Sequence, residues 1–417
     1  MNKVFKAIKN NKRLISNFSY LSILKIVTLF LPLFTYPYLV TTLGVDNYGL
    51  IIYSQAIVGY FIIFINFGFG ITTTREISRN RDNKRKLSLI ISATYLVKIV
   101  FFIISAIILF FLSFLIKDIY ENIELFVFTM LWLALYEIFF PSYYFQGVEK
   151  MKYITLVSLI SRLIFFICIF IYIKHEDDYI LFPLLNLLGS LVAIIFSIVI
   201  LLKDGIRFVL PSKKEIFYHV RTSYIMGLAV GSNTLKSNLN IVLIKNVLSL
   251  REVAIFDLAS KLASIGITVA DLISQTVFPK MAKEKNKVFF KKLIKVVNLI
   301  SIILMLGYVA FGKIVVDILS RGTMPEAYNL LLLMSLIVPI YSLGTLLGRN
   351  CLNVYGFDKQ VLYSMILSSL AYVIIYFFTK DILGLKFNVT GFVILYLMSF
   401  LLDTSYRFYI CKKHNLI

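Results

Sequence analysis

The sequence has few charged residues: only 16% of its 417 residues are Asp, Glu, Lys or Arg, against about 25% in an average soluble domain. Hydrophobic residues make up 59% of the chain, which excludes an ordinary soluble enzyme. A membrane-spanning helix needs about 20 mostly apolar residues. The chain therefore has room for about twelve such helices and their connections, but not for a large soluble domain.

Cysteine and histidine are also scarce, with three of each. Cys168, Cys351 and Cys411 lie in or beside apolar segments without a CxxC or Cys/His spacing, so we expect free thiols, no disulfide framework and no zinc site. The histidines fall at the ends of apolar segments, which argues against histidine-centred metal or nucleophile chemistry. We therefore expect no metal, no cofactor and no catalytic residues, and hence no enzyme.

Long apolar stretches, in contrast, are abundant and recur twelve times. They lie at 16–43, 49–72, 87–115, 123–146, 153–173, 180–202, 222–245, 253–278, 293–316, 329–350, 361–378 and 389–410. Each is long enough to cross a bilayer. The first is too long for a signal-peptide core and lacks a cleavage site, so it is expected to be a retained helix. The pattern predicts an all-α polytopic membrane protein with about 12 transmembrane helices.

The positive charges are concentrated in every second connection. Lys and Arg outnumber Asp and Glu by 43 to 22, which gives a net charge of +21. The basic segments lie at 3–13, 75–86, 150–152, 203–214, 280–292 and 412–413, and the intervening connections are short and comparatively acidic. Because cytoplasmic loops retain Lys and Arg, both termini are predicted to be cytoplasmic, and the surplus does not indicate nucleic acid. Binding of anionic lipid headgroups is an alternative use of such clusters.

A faint internal repeat divides the chain. The segment 43–51 aligns with 248–256, and each leads into a helix that ends in a basic stretch. We therefore predict an N-terminal six-helix lobe at 1–202, a cytoplasmic connection at 203–215 and a C-terminal six-helix lobe at 216–417. Duplicated halves are how many transporters build a central site. Chance similarity between apolar sequences is the alternative.

Polar residues deep in a spanning helix are costly and usually face a cavity or a partner. The seventh helix has seven polar residues among the nine at 232–240, including Asn233, Lys236 and Asn240. Hydrogen bonding between helices would explain the Ser, Thr and Asn residues, but it does not readily explain Lys236. We predict that Asn233, Lys236 and Asn240 line a water-filled cavity.

The eighth helix carries a polar stripe at steps of four, three, four, three and four residues. Its members are Asp257, Lys261, Ser264, Thr268, Asp271 and Gln275. This spacing puts all six on one helix face. Asp257 and Lys261 can form a purely structural i,i+4 ion pair, but that pair does not explain the whole stripe. We predict Lys261 as a cavity residue and Asp257 or Asp271 as carboxylates that couple transport to H+ or Na+.

The first half has a thinner counterpart, with Lys25 in the first helix and Gln55 and Asn66 in the second as candidate cavity residues. Three further ionisable residues lie deep in helices three to five. These are Lys98, Glu137 and Arg162; the two cations either snorkel to the surface or pair with Glu137. Arg349 and Asp403 lie nearer helix ends and receive no special role.

The deep basic residues outnumber the deep acidic ones, and fixed positive charge in a low dielectric favours an anion. A phosphate or pyrophosphate carried by a lipid could enter a helix bundle from the membrane side, and lysine binds phosphate as a point charge.

Three short segments add a resemblance to this pattern: LGVDNYG at 43–49, GFG at 68–70 followed by TRE at 74–76, and YYFQGVEKMKY at 143–153. With twelve helices in two halves, they resemble the bacterial polysaccharide flippases of Wzx type, which transport O-antigen and other repeat units. These belong to the MOP exporter superfamily, together with the MATE multidrug transporters and the peptidoglycan lipid flippase. The last of these usually has two further helices.

The resemblance implies a MATE-like, V-shaped pair of lobes in the bacterial cytoplasmic (inner) membrane. It implies translocation of undecaprenyl-pyrophosphate-linked oligosaccharide by alternating access, for O-antigen or capsule synthesis. Basic cavity residues would hold the anionic load, with Lys25, Lys236 and Lys261 as candidates by position. Expected partners are the lipid-linked oligosaccharide, membrane lipids, a polysaccharide polymerase and a chain-length regulator.

Two other functions compete with this interpretation. A MATE-type multidrug or cation antiporter would need an acid-dominated cavity, whereas the excess here is basic. A membrane glycosyltransferase or polymerase generally needs a sizeable outer loop with catalytic residues, and the predicted outer connections are short.

Overall fold

The computed structural model describes the backbone of residues 2–382, 384 and 386–417, and their side chains except at 2–18, 229, 230, 232, 233, 279, 381 and 382. Helices dominate this part of the chain, which contains no β-strand. The α-helices are α1 Asn2–Leu43, α2 Val45–Asn66, α3 Phe69–Arg79, α4 Lys84–Leu115, α5 Lys117–Glu121, α6 Ile123–Phe139, α7 Ser142–Gly147, α8 Met151–Tyr172, α9 Leu181–Lys203, α10 Lys213–Val247, α11 Leu250–Glu284, α12 Lys287–Ser320, α13 Ala327–Ser335, α14 Ile337–Thr345, α15 Asp358–Phe377 and α16 Val389–Lys413. A 3₁₀ segment at Glu176–Ile180 and π-helical segments at Leu346–Leu352 and Phe378–Ile382 complete the helical structure.

Eleven helical stretches in the described residues are long and apolar enough to cross a membrane. They coincide with eleven of the twelve predicted spans. The remaining span, 222–245, lies within α10, a continuous helix of 35 residues. The predicted all-α, multi-pass membrane fold is confirmed, and the three cysteines are free thiols as expected.

Local sequence signals fix where several of these helices begin. The residues before α4, α11, α12 and α16 are Asn83, Ser249, Asn286 and Asn388, and the side chain of each accepts a hydrogen bond from a backbone N–H in the first turn. Such caps satisfy donors that have no partner within the helix. The helix starts are therefore set by short polar side chains between apolar runs.

The chain forms two compact units. Unit 1 comprises Met1–Tyr38 and Ser54–Gly231, and unit 2 comprises Leu39–Tyr53 and Ser232–Ile417. The core of unit 1 includes Tyr143, Tyr144 and Phe145, the aromatic start of the 143–153 segment. The predicted boundaries at 1–202, 203–215 and 216–417 stay a prediction.

Unit 2 includes the turn between α1 and α2. Gly49 packs directly on the backbone of Leu250, so closely that a side chain there would collide with the Leu250 carbonyl. Tyr48 reaches two residues of α11, Asp257 and Lys261. The two segments that the internal repeat aligned, 43–51 and 248–256, therefore pack against each other within one unit.

In unit 1 the turn between α2 and α3 packs on α10 without any intervening side chain. Gly68 has a φ of +81°, and a Cβ built on it would lie 2.8 Å from the carbonyl carbon of Met226 and 2.8 Å from the carbonyl oxygen of Ser223. A Cβ on Gly227 would in turn lie 2.9 Å from the carbonyl of Phe67. Glycine is required here both for its backbone conformation and for the close approach.

We expect Gly68→Ala to lower the free energy of unfolding by about 2–4 kcal/mol, because left-handed strain and overpacking add together. Denaturant unfolding in detergent measures the loss. Gly205→Ala is the matched control, since Gly205 also has a φ of +81° but a Cβ there would have nothing within 4 Å. We expect the control to lose only about 1–2 kcal/mol; equal losses would show that the close approach costs nothing.

Candidate functional site

Lys236 lies near the middle of α10 and is buried, with 3% of its surface exposed. Its Nζ donates a hydrogen bond to the Ser368 hydroxyl at 3.1 Å and lies 5.3 Å from the ring centroid of Phe400. None of the described carboxylates lies within ion-pair distance of it. A buried ammonium without a close ion-pair partner costs free energy, so the position of Lys236 requires an explanation.

The Lys236 side chain borders a cavity of about 280 Å³. The cavity is lined by Thr234, Lys236, Ser237, Ile267, Tyr341, Tyr396 and Phe400. The hydroxyls of Ser237 and Tyr396 are 3.1 Å apart, and the Phe400 ring makes edge contacts with the rings of Tyr396 and Tyr341, with centroid distances of 4.9 and 5.7 Å. A cation, hydroxyl groups and aromatic walls thus face the same space, which we call the Lys236 cavity.

Asn240 lies one turn further along α10 and is fully buried. Its amide nitrogen donates to the Lys236 carbonyl at 3.3 Å, and its amide oxygen accepts from the Tyr372 hydroxyl at 2.6 Å. The Asn240 side chain is thus engaged within the protein. The side chain of Asn233 lies outside the described residues.

Helix α15 supplies partners to three polar residues through one stripe of its own. Ser364, Ser368 and Tyr372 follow one another at steps of four residues and are each about 1% exposed. Ser364 accepts from Arg407, Ser368 from Lys236, and Tyr372 donates to Asn240. This face of α15 therefore positions both charged side chains.

A second cavity, of about 200 Å³, shares Tyr341 and Phe400 with the Lys236 cavity and is also lined by Arg349, Asp403 and Arg407. Arg407 is 5% exposed, pairs with Asp403 Oδ2 at 2.8 Å and donates to the Gly344 carbonyl at 2.9 Å. Oδ1 of Asp403 is buried and has no hydrogen-bond partner among the described residues. We call this space the Arg407 cavity.

The π-helical segment Leu346–Leu352 interrupts a predicted span and places two side chains against α11. Arg349 lies 3.4 Å from Asp271 Oδ1. Asn350 Oδ1 accepts from the Ser274 hydroxyl at 2.5 Å, and its amide nitrogen donates to the Ser274 carbonyl at 3.0 Å. The Tyr341 hydroxyl also donates to Asp271, at 3.5 Å. π-helical turns are often found at functional sites, and this one brings a cation to the predicted coupling carboxylate.

Nearer the start of α11, the ammonium of Lys261 forms an ion pair with Asp257 and donates to the Tyr48 hydroxyl at 2.9 Å. Tyr48 also donates to Asp257, at 3.4 Å. The i,i+4 ion pair expected from the sequence is confirmed. The charge of Lys261 is thus balanced by Asp257, whereas Lys236 forms no ion pair with a described carboxylate. A role for Lys261 in binding a load stays a prediction.

In unit 1, Glu137 Oε1 accepts from Asn66 at 2.7 Å and from Lys98 at 2.6 Å. Lys98 is 1% exposed and also donates to the Glu137 carbonyl at 2.7 Å. Of the two alternatives for Lys98, pairing is confirmed and snorkelling is wrong. Lys25 and Gln55 are half-buried on α1 and α2 and lie outside this network in the described part of the chain.

Sequence reasoning assigned no role to Arg407 and treated Arg349 and Asp403 as ordinary helix-end residues. One signal could have identified the pair: Asp403 and Arg407 are four residues apart in an apolar helix, with the acid first. Among the described residues no group of three or more His, Cys, Asp or Glu side chains could hold a metal ion.

The sequence matches a family model described as polysaccharide biosynthesis protein over residues 14–285. A relative from Escherichia coli strain K12, named "Putative O-antigen transporter", is 26% identical over 362 residues, which is 84% of this chain and 86% of the relative. A protein of the same name from Shigella dysenteriae is 24% identical over 263 residues, or 63% of this chain and 66% of the relative.

Solved structures share the fold at low sequence identity. The lipid II flippase MurJ in an inward closed conformation superposes with a TM-score of 0.75 at 14% identity, covering 94% of this chain and 87% of MurJ. An inward-facing MATE family multidrug resistance transporter of the MOP superfamily gives a TM-score of 0.69 at 14% identity, covering 92% of this chain and 97% of the transporter. The resemblance found in the sequence, and the MOP-type fold that it implied, are both confirmed.

Proposed function

Because the chain belongs to the polysaccharide biosynthesis protein family, we propose that it is a flippase for lipid-linked oligosaccharide. Its load is an undecaprenyl-pyrophosphate-linked repeat unit, moved from the cytoplasmic to the outer leaflet of the cytoplasmic membrane by alternating access. Both termini lie in the cytoplasm. The product supplies O-antigen or capsule synthesis, together with a polymerase and a chain-length regulator. The names of the two relatives support the class of load.

The observation that carries this proposal is the buried ammonium of Lys236, which has one hydroxyl and one aromatic face as its contacts. A pyrophosphate is a strong acceptor of charge-assisted hydrogen bonds. In a low dielectric its attraction to a fixed cation is much larger than in water. The load supplies the close ion pair that none of the described carboxylates forms with Lys236.

The walls of the Lys236 cavity also suit a sugar. A pyranose ring has apolar C–H faces and hydroxyl groups around its edge. Tyr341, Tyr396 and Phe400 provide flat aromatic surfaces, and Ser237 and Thr234 provide hydroxyl groups. Pockets that combine aromatic walls with a few placed polar groups are typical of small-ligand sites.

An H+ or Na+ gradient is the proposed energy source, and Asp257 and Asp271 are the proposed coupling carboxylates. Each lies beside a cation, Lys261 or Arg349 respectively. Neutralising either carboxylate raises the positive potential around its cation, which strengthens attraction for an anionic load. Ion binding and load binding are thereby linked through the same charge pairs.

The second candidate function is that of a MATE-type antiporter for cationic drugs, since the fold is shared with such transporters. A cationic drug in the Lys236 cavity would meet a buried ammonium at close range, which is repulsive. We therefore favour the anionic load.

Purified protein reconstituted into vesicles with a fluorescent undecaprenyl-pyrophosphate-linked oligosaccharide tests the proposal. We expect protein-dependent transfer of the label between leaflets, read out by a membrane-impermeant quencher; vesicles with an unrelated helical membrane protein at the same ratio are the control. Ethidium transport without oligosaccharide transfer would identify a drug antiporter. New glycosidic bonds in the lipid product would identify a polymerase.

A further inference from the structure

Unit 1 carries a groove of about 550 Å³, and none of the polar residues described above lines it. Helix α4 contributes Leu96, Ile99 and Val100, α9 contributes Ile198, and the connection that follows α9 contributes 208–211. The polar side chains among the described lining residues are Ser92 and Tyr95. Both are engaged: Ser92 accepts from the Val209 N–H at 3.0 Å, and Tyr95 donates to the Phe139 carbonyl at 3.2 Å. The groove therefore suits a hydrocarbon.

The connection forms one wall because its backbone is attached to α4. The Arg207 N–H donates to Ser88 and the Val209 N–H to Ser92, each at 3.0 Å. The Phe208 ring stacks on Tyr95 with a centroid distance of 5.7 Å. Leu210, in contrast, is 92% exposed. An apolar segment held this firmly and this exposed is favourable in contact with lipid and unfavourable in water.

Basic residues flank the groove along the chain. Lys203, Arg207, Lys213 and Lys214 are all exposed, and none has a carboxylate partner among the described residues. The one acidic residue among them, Asp204, is already engaged: it pairs with Lys150 at 2.5 Å and accepts from Tyr144 at 2.9 Å. Clusters of four to eight Lys and Arg beside a membrane helix bind anionic headgroups.

Along the chain, the connection leads into the first turns of α10, which carry exposed aromatic rings. Phe217 is 66% exposed and Tyr218 is 55% exposed. Tyrosine side chains such as Tyr218 concentrate at the level of the lipid headgroups. The groove, its basic flanks and these rings thus have the composition of a membrane interface.

We propose that the groove binds one acyl chain of an anionic phospholipid, whose phosphate is held by Arg207 and Lys213. The chain packs on Ile99 and Leu210, and the headgroup lies at the membrane surface. Leu210 belongs to the wall that closes the groove, and Arg207 precedes that wall in the same connection. The bound lipid therefore fixes the connection between α9 and α10 against α4. This site shares no lining residue with the Lys236 cavity and takes a resident lipid rather than the load.

Native mass spectrometry of the full-length protein, released from nanodiscs that contain phosphatidylglycerol, phosphatidylcholine and a polyprenyl phosphate, tests the proposal. We expect one phosphatidylglycerol to be retained per chain in preference to phosphatidylcholine. Ile99→Trp, which fills the groove, should lower the retained lipid at least fivefold. Ile104→Trp is the matched control, since Ile104 is on the same helix with a similar exposure, 39% against 37% for Ile99, and does not line the groove.

The headgroup is tested by a pair of double variants with equal charge loss. Arg207→Gln/Lys213→Gln should reduce the preference for phosphatidylglycerol about tenfold or more, because each Lys or Arg near the surface contributes roughly 1 kcal/mol. Lys412→Gln/Lys413→Gln, at the exposed end of α16, should leave the preference in place. Equal retention by the two tryptophan variants, an unchanged preference in the Arg207 variant, or retention of polyprenyl phosphate but not phosphatidylglycerol would each overturn the proposal. None of these readouts depends on transport.

Discussion

Replacing Lys236 with methionine should lower transfer of the lipid-linked oligosaccharide by a factor of about 30 to 160 and leave the protein as stable as before or more stable. Methionine keeps most of the volume but removes the charge. The loss of transport follows from about 2–3 kcal/mol for a charge-assisted hydrogen bond to phosphate. The stability follows from removal of a buried ammonium that lacks a carboxylate partner in the described structure. Transfer in vesicles and denaturant unfolding in detergent measure the two effects.

Replacing a load-binding lysine lowers transport without lowering stability, whereas replacing a structural lysine lowers stability. Lys236→Arg keeps the charge and should retain more transport than Lys236→Met. Lys295→Met removes an exposed lysine from α12 in the same unit and should change neither quantity. Full transport by Lys236→Met would show that Lys236 does not bind the load. A large loss of stability would show that Lys236 has a structural role instead.

Glu137→Gln should lower the free energy of unfolding by about 3 kcal/mol. Lys98 is 1% exposed and relies on the Glu137 carboxylate at 2.6 Å. The variant leaves a buried ammonium with a backbone carbonyl and a neutral amide, and removal of one partner from a buried pair typically costs about 3–5 kcal/mol. We take the lower end because the Glu137 side chain is 26% exposed. Denaturant unfolding in detergent measures the loss.

The double variant Lys98→Met/Glu137→Gln should regain most of that stability, because no uncompensated charge then remains. Lys117 and Glu121 form the matched exposed pair, at 3.4 Å with side chains 84% and 54% exposed. Glu121→Gln should cost less than about 0.5 kcal/mol. If Glu137→Gln costs no more than Glu121→Gln, Lys98 has a compensating contact other than the carboxylate.

The helices were predictable because hydropathy over about 20 residues is a strong local signal. Pairing of Lys98 with Glu137 was one of two alternatives that the sequence left open, because a charge deep in an apolar helix avoids desolvation either by pairing or by snorkelling; the structure decides for pairing. The α15 stripe of Ser364, Ser368 and Tyr372 was not predictable in the same way. Small hydroxyl residues are common in spanning helices and cost little, so their role becomes visible only once Lys236 and Arg407 lie opposite them.

The rest of the site depends on geometry that single-sequence patterns do not encode. The π-helical turn at Leu346–Leu352 changes the register of its helix, so a periodicity of 3.6 residues does not place Arg349 beside Asp271. The sequence of α11 predicted both a common polar face and the ion pair between Asp257 and Lys261. It did not predict that Lys236 on α10 contacts a serine hydroxyl and lacks a carboxylate partner among the described residues.

The membership of Leu39–Tyr53 in unit 2 has a consequence for biosynthesis. This segment packs on Leu250, which is translated about 200 residues later, or roughly 10–40 s at 5–20 residues per second. During that interval Gly49 and Tyr48 have emerged from the ribosome while their α11 contacts have not been made. The turn between α1 and α2 therefore stays in the translocon or the bilayer without these contacts until α11 has been synthesised. The order of assembly cannot follow the order of synthesis.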